Sequence, residues 1–102
     1  MTGRSSAFAL ALVVSFAVGG CGSAYSIVSI NAADARVEQA RALGAETKAP
    51  YEYTYAREHL RQARVEAGEA SYSDAAAYAE TAEAYAQRAI DRIRGRRPGT
   101  NK

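Results

Sequence analysis

Residues 50–94 read PYEYTYAREHLRQARVEAGEASYSDAAAYAETAEAYAQRAIDRIR. Two stripes of mostly small apolar residues run through this stretch. In the first half, Tyr53, Ala56, Leu60, Ala63, Ala67 and Ala70 recur at alternating spacings of three and four. In the second half, Ala75, Ala79, Ala82, Ala86, Ala89 and Ile93 do the same. An α-helix turns every 3.6 residues, so each set lies on one face and forms a seam of coiled-coil type. Pro50 suits a first helical turn, where its missing N–H costs nothing. Gly95 and Pro98 end the second stripe. The join near Ser71 is short enough to force the two helices antiparallel. This predicts an all-α fold with a helical hairpin over about residues 50–70 and 74–94. Ser71-Tyr72-Ser73-Asp74 offers a capping box with Asp in the acidic place, and Ser73 is a competing cap. In such a pair, residues whose numbers sum to about 143 face each other. On that register Arg57, Arg61 and Arg64 are expected to reach Glu80 and Glu83, each exposed pair contributing roughly 0–1 kcal/mol.

A third stripe precedes the hairpin. Ile30, Ala33, Val37, Ala40 and Gly44 share one spacing pattern, with Ile27 beside them, which predicts a helix from about Tyr25 to Leu43 ending at Gly44. The expected arrangement is three helices in one domain over residues 21–95, followed by a basic, disordered tail over 96–102. Residues 21–102 contain 20 alanines. Alanine has the highest intrinsic helix propensity but buries little area, at roughly 0.8 kcal/mol per carbon group. Helices of this kind form readily, approach closely and adhere modestly.

Residues 1–20 have a different composition. MTGRSS (1–6) is short and basic, and AFALALVVSFAV (7–18) is an apolar run broken only by Ser15. The run is shorter than the ~20 residues a bilayer span needs and fits the apolar region of a signal peptide. Val18-Gly19-Gly20-Cys21 resembles the bacterial lipobox, in which an aliphatic residue and two small ones precede an acylated cysteine. Val18, Gly19 and Gly20 are the expected signal-peptidase recognition residues and Cys21 the expected lipidation site. An ordinary signal peptide and an N-terminal membrane anchor are the alternatives. Gly22 rather than Asp follows Cys21, which favours the outer membrane.

The stretch Ala49-Pro50-Tyr51, Leu60-x-x-Ala63, Tyr72-Ser73-Asp74-x-Ala76 and Ala79-x-x-Ala82 resembles a family of short alanine-rich bacterial lipoproteins, domain of unknown function 4398. The resemblance covers about residues 30–90. The family's turn is often Gly-Asp-Tyr, where this chain has Ser71-Tyr72-Ser73-Asp74. The resemblance implies an envelope location and a helical fold, and no known activity. The hairpin also looks like a single tetratricopeptide-type unit, although solenoids of such units need about three repeats.

Composition excludes several functions. The chain has 13 Lys+Arg against 11 Asp+Glu. Without Arg4 the remaining 12 against 11 is near neutral, so net charge does not point to nucleic acid. Cys21 is the only cysteine and His59 the only histidine, a poor basis for a metal site, and no cofactor is expected. Glu66/Glu69 and Glu80/Glu83 are carboxylate pairs at i,i+3 that read as solvated helix faces. No nucleophile–base set is present, so the chain is not expected to be an enzyme.

Seven tyrosines are the conspicuous excess. Tyr51 and Tyr55 share a helical face, with Tyr53 pointing elsewhere. Tyr78, Tyr85 and Arg92 recur every seven residues on one flank of the last helix. Tyrosine combines area with a polar tip, which suits interfaces, so this flank is the candidate interaction face, the alternative being that the rings thicken a thin core. Arg88, Arg92, Arg94, Arg96, Arg97 and Lys102 make the C-terminal end basic, suited to a helix C-terminus or to contact with peptidoglycan or anionic lipid. The expected function is a lipid-anchored structural or adaptor protein of the cell envelope, outer membrane and facing the periplasm, that presents a helical surface to a protein partner. Alternatives are a self-associating alanine-zipper spacer and an accessory subunit that regulates an envelope enzyme or transporter.

Overall fold

The computed structural model describes residues 3–96, with side chains from residue 22 onward. Its elements are α1 (Gly3–Ala42), the single turn α2 (Ala45–Lys48), α3 (Pro50–Gly68) and α4 (Tyr72–Ile93), with no strand among the described residues. The all-α hairpin expected from the stripes is α3–α4. Glu52 and Arg92, whose numbers sum to 144, pair across it.

The third layer is α1. Gly22 lies beside Tyr72, Tyr25 bonds Glu80 and Arg36 pairs with Glu83, so numbers rise together and α1 runs parallel to α4. Asp34 meets Arg64 of α3, which runs the other way. α4 therefore sits between two partners, packing closely on both, while α1 and α3 meet more sparingly. The molecule measures 70 × 29 × 18 Å because the 40-residue α1 outruns the hairpin.

The core is mostly alanine. Ala33, Ala40, Ala56, Ala63, Ala79, Ala82, Ala86 and Ala89 are fully buried, and Val37, Tyr53, Leu60 and Ile90 supply most of its bulk. Small side chains let the backbones approach, and the four larger ones carry a disproportionate share of the burial energy, about 1.5–3 kcal/mol each for the aliphatic ones.

Several expectations are corrected. The helix expected to begin near Tyr25 is continuous from Gly3. The linker after Gly44 contains the α2 turn, whose Ala45, with the following Ala49, closes the end of the core. Ile27 is exposed, and Ser26 and Ser29 are buried in the place expected for it. Ser26 tolerates burial because its Oγ donates to the Ser23 carbonyl at 2.9 Å. Ala70 leaves the seam. It adopts φ 61° and is exposed, while Ser71 N–H donates to the Glu66 carbonyl at 2.9 Å and Ala70 N–H to that of Ala67 at 3.1 Å. This is a Schellman closure with alanine in the left-handed place. Ser71 is the N-cap of α4 but makes no side-chain capping bond.

The expected seam pairs are also replaced. Arg61 bonds Glu58 on its own helix, Arg64 bonds Asp34, and Arg57 lies over the Tyr53 ring, while Glu80 and Glu83 are held by Tyr25 and Arg36 of α1. The α4 face carrying the two glutamates is turned toward α1.

Candidate interaction face

The other flank of α4 carries Tyr78, Tyr85 and Arg92, and the structure places each of them against α3. Tyr55 and Tyr85 lie with centroids 4.1 Å apart. Tyr55 stacks on His59 at 4.2 Å and contacts Tyr51 at 6.0 Å. His59 reaches Tyr78 at 5.9 Å. A row of rings therefore runs along the α3–α4 seam on the side away from Glu80 and Glu83. The i,i+4 spacing of 51, 55 and 59 generates its α3 half, and the i,i+7 spacing of 78 and 85 its α4 half. Tyr53 is buried instead in the core. The candidate face read from the sequence does not include His59, although its position four residues after Tyr55 is a signal for it. Its Nδ1 lies 2.9 Å from the Tyr55 carbonyl, which accepts a hydrogen bond if that nitrogen carries the proton.

The row is flanked by two depressions. At one end, near the α3–α4 turn, His59, Glu66, Asp74, Tyr78 and Thr81 line an open cleft of about 360 Å³. At the other, Tyr51, Glu52, Tyr85, Arg88, Arg92 and Arg96 line a groove of about 590 Å³. Arg92 Nη1 donates to Glu52 at 2.9 Å, and the Arg88 guanidinium carbon lies 4.6 Å from the Tyr85 ring centroid. The seam is thus acidic at the turn and basic at the far end.

Elsewhere several arginines are paired. In the groove between α1 and α3, Arg41 is paired with Glu38, Arg61 with Glu58 and Arg64 with Asp34. The Arg41 guanidinium holds the Glu38 carboxyl below its ordinary range. Three of the four paired carboxylates have partners, since Glu66 accepts from Gln62 at 3.0 Å, Glu80 from Tyr25, and Glu83 pairs with Arg36. The bond to Glu80, together with its negative charge, raises the Tyr25 hydroxyl above its ordinary value of 10.0.

Val18, Gly19, Gly20 and Cys21 fall within the α1 backbone, and their side chains lie outside the described residues, as do Arg97 and Lys102. Gly22, immediately after Cys21, lies level with the first residue of α4. Just beyond it Tyr25, Ile27 and Val28 are exposed on α1. Among the described residues, no helix is long and apolar enough to cross a membrane, and no cluster of His, Cys, Asp or Glu could hold a metal ion.

No curated protein and no solved structure matches the chain. The family described as Domain of unknown function (DUF4398) matches residues 28–97, from α1 past the end of α4, and the chain belongs to that family.

Proposed function

We propose that this chain is a lipid-anchored protein of a bacterial cell envelope, tethered through Cys21, that presents the ring-lined α3–α4 seam to a protein partner. The observation that carries it is that Gly22, one residue after the lipobox-like cysteine, lies beside Tyr72, the first residue of α4. A lipid on Cys21 would hold the bundle at the membrane surface without a flexible linker. Tyr25, Ile27 and Val28, exposed at that end, suit the headgroup boundary. Gly19 and Gly20 lower the cost of unwinding α1 for a peptidase, since each Gly is about 0.8–1 kcal/mol less favourable than Ala in a helix. Gly22 in place of Asp supports the outer membrane as the destination.

Metabolic labelling with a tagged fatty acid, followed by membrane fractionation, tests the tether. Label on the wild type and none on Cys21→Ala is expected. No label, with residues 1–20 still attached, would refute it. A photo-crosslinker in place of Tyr78 tests the presented face. Products containing a second protein are expected, whereas products joining two copies of this chain would favour the self-associating spacer.

A further inference from the structure

We infer that the groove between the start of α3 and the end of α4 binds an acidic protein segment, with Arg88 and Arg96 taking its carboxylates. The inference rests on the α3–α4 seam being the presented face and names the chemistry of what that face holds. Three arginines line it together with a single carboxylate, Glu52, which is bonded to Arg92. Arg88 and Arg96 have no ion pair among the described residues, whereas the α1–α3 groove sets Arg41, Arg57, Arg61 and Arg64 against Asp34, Glu38, Glu46 and Glu58, and of those four arginines only Arg57 lacks an ion pair. Arg92 is fixed by Glu52, and Arg88 lies over Tyr85. Guanidiniums held in this way lose less freedom on binding and offer paired N–H donors that match a carboxylate. A volume of about 590 Å³ accommodates a few side chains.

Tyr55 and Arg88 pack against Tyr85, while Tyr51 in the same groove is 64% exposed, so the polygalacturonate arm of the test is what separates a peptide from a sugar polymer. The rings supply an apolar floor, and recognition falls to the guanidiniums. The location disfavours headgroups of the anchoring membrane. The groove lies at the opposite end of α4 from Gly22 and Tyr72, about 30 Å away at 1.5 Å per residue.

The test uses the full chain in detergent micelles and short fluorescent peptides of equal length. One is rich in Glu with a central Leu, and one is its Gln counterpart. Polygalacturonate and inorganic phosphate serve as competitors. The acidic peptide should bind in a salt-dependent manner, the Gln peptide about tenfold more weakly, and Arg88→Gln/Arg96→Gln should weaken the acidic peptide by a similar factor. Glu52→Gln should bind it at least as well as the wild type. Equal binding of the two peptides would overturn the inference, as would a double variant that binds like the wild type while retaining its circular dichroism. Polygalacturonate binding without peptide binding, or complete displacement by millimolar phosphate, would assign the groove to a glycan or to free phosphate instead. Binding in micelles does not require acylation. Failure here with a positive fatty-acid label therefore refutes the groove alone, and peptide binding without label supports it while refuting the tether.

Discussion

Arg92, near the end of α4, reaches Glu52 in the first turn of α3, with Nη1 2.9 Å from Oε1. The contact closes the open end of the hairpin and occupies the one carboxylate of an otherwise basic groove. Its two consequences have opposite signs. The Arg92 side chain is 59% exposed and that of Glu52 17%, so the pair, open to solvent on one side, adds about 1 kcal/mol to stability. Glu52→Gln should lower the melting temperature by a few degrees, while acidic-peptide affinity holds or rises as Arg92 is released. Calorimetry and the peptide titration on one preparation check both.

The alanine core predicts an asymmetry between positions. Ala82 is fully buried where α4 passes between its partners, and Ala77 is exposed on the same helix. Ala82→Leu should destabilise by about 1–3 kcal/mol through overpacking. Ala77→Leu should have little effect on unfolding. Leu60→Ala, at a residue only 3% exposed, should cost about 2–5 kcal/mol, because few neighbours are large enough to fill the space. Urea unfolding of the three variants measures this.

Most of this bundle is legible in the sequence because its seams are periodic. Ala33, Val37 and Ala40, Tyr53 through Ala63, and Ala75 through Ala89 all lie where the spacing places them. The failures have physical causes. Hydrophobicity favoured Ile27 over Ser26 and Ser29, but rotation of the helix decides which face is buried, and a serine bonded to its own helix can enter a core. A strict seven-residue repeat drifts about 20° per heptad on a straight helix, which brings Ile90 into the core beside Ala89. Hairpin register alone could not show that α1 takes the glutamate face of α4, because that depends on a third helix. The tyrosine–arginine flank was visible as a seven-residue spacing on α4. Its completion by Tyr55 and His59 requires the rotation of α3, which the spacing along one helix does not contain.

Tyr25 and Glu80 predict a pH effect at the alkaline end. The neutral hydroxyl donates to the carboxylate, and that bond with the Glu80 charge raises the hydroxyl above 10.0. A group raised by folding stabilises the protonated state. Its contribution is fully present below the ordinary value and is lost as pH rises through the raised one. In ultraviolet titration of tyrosinate, Tyr25 should give a late component above its ordinary value of 10.0. Tyr25→Phe should remove that late component, and Glu80→Gln should move it down toward 10. An unchanged late component in both variants would assign it to another tyrosine.

Among the described residues three helix ends use a residue in the left-handed region, and only one of the three is not glycine. Gly44 has φ 87° and Gly95 φ 71°, while Ala70 has φ 61° in the turn between α3 and α4. An L-residue with a side chain costs roughly 1–2 kcal/mol in this conformation, whereas glycine is unhindered. Gly68, two residues earlier, lies inside α3, where it brings none of that benefit. Ala70→Gly should therefore stabilise the hairpin by about 0.5–1 kcal/mol, less than the full strain because glycine also frees the unfolded chain. Gly44→Ala should destabilise by a similar or larger amount, because φ 87° strains any residue that carries a Cβ, while the Lys48 side chain at 3.4 Å leaves room for it. Thermal unfolding of the two single variants and the double variant checks the assignment. Melting temperatures should move in opposite directions and roughly add, because the two turns share no partners. A fall with Ala70→Gly would mean that the turn is held by something other than the backbone closure from Ser71 to Glu66.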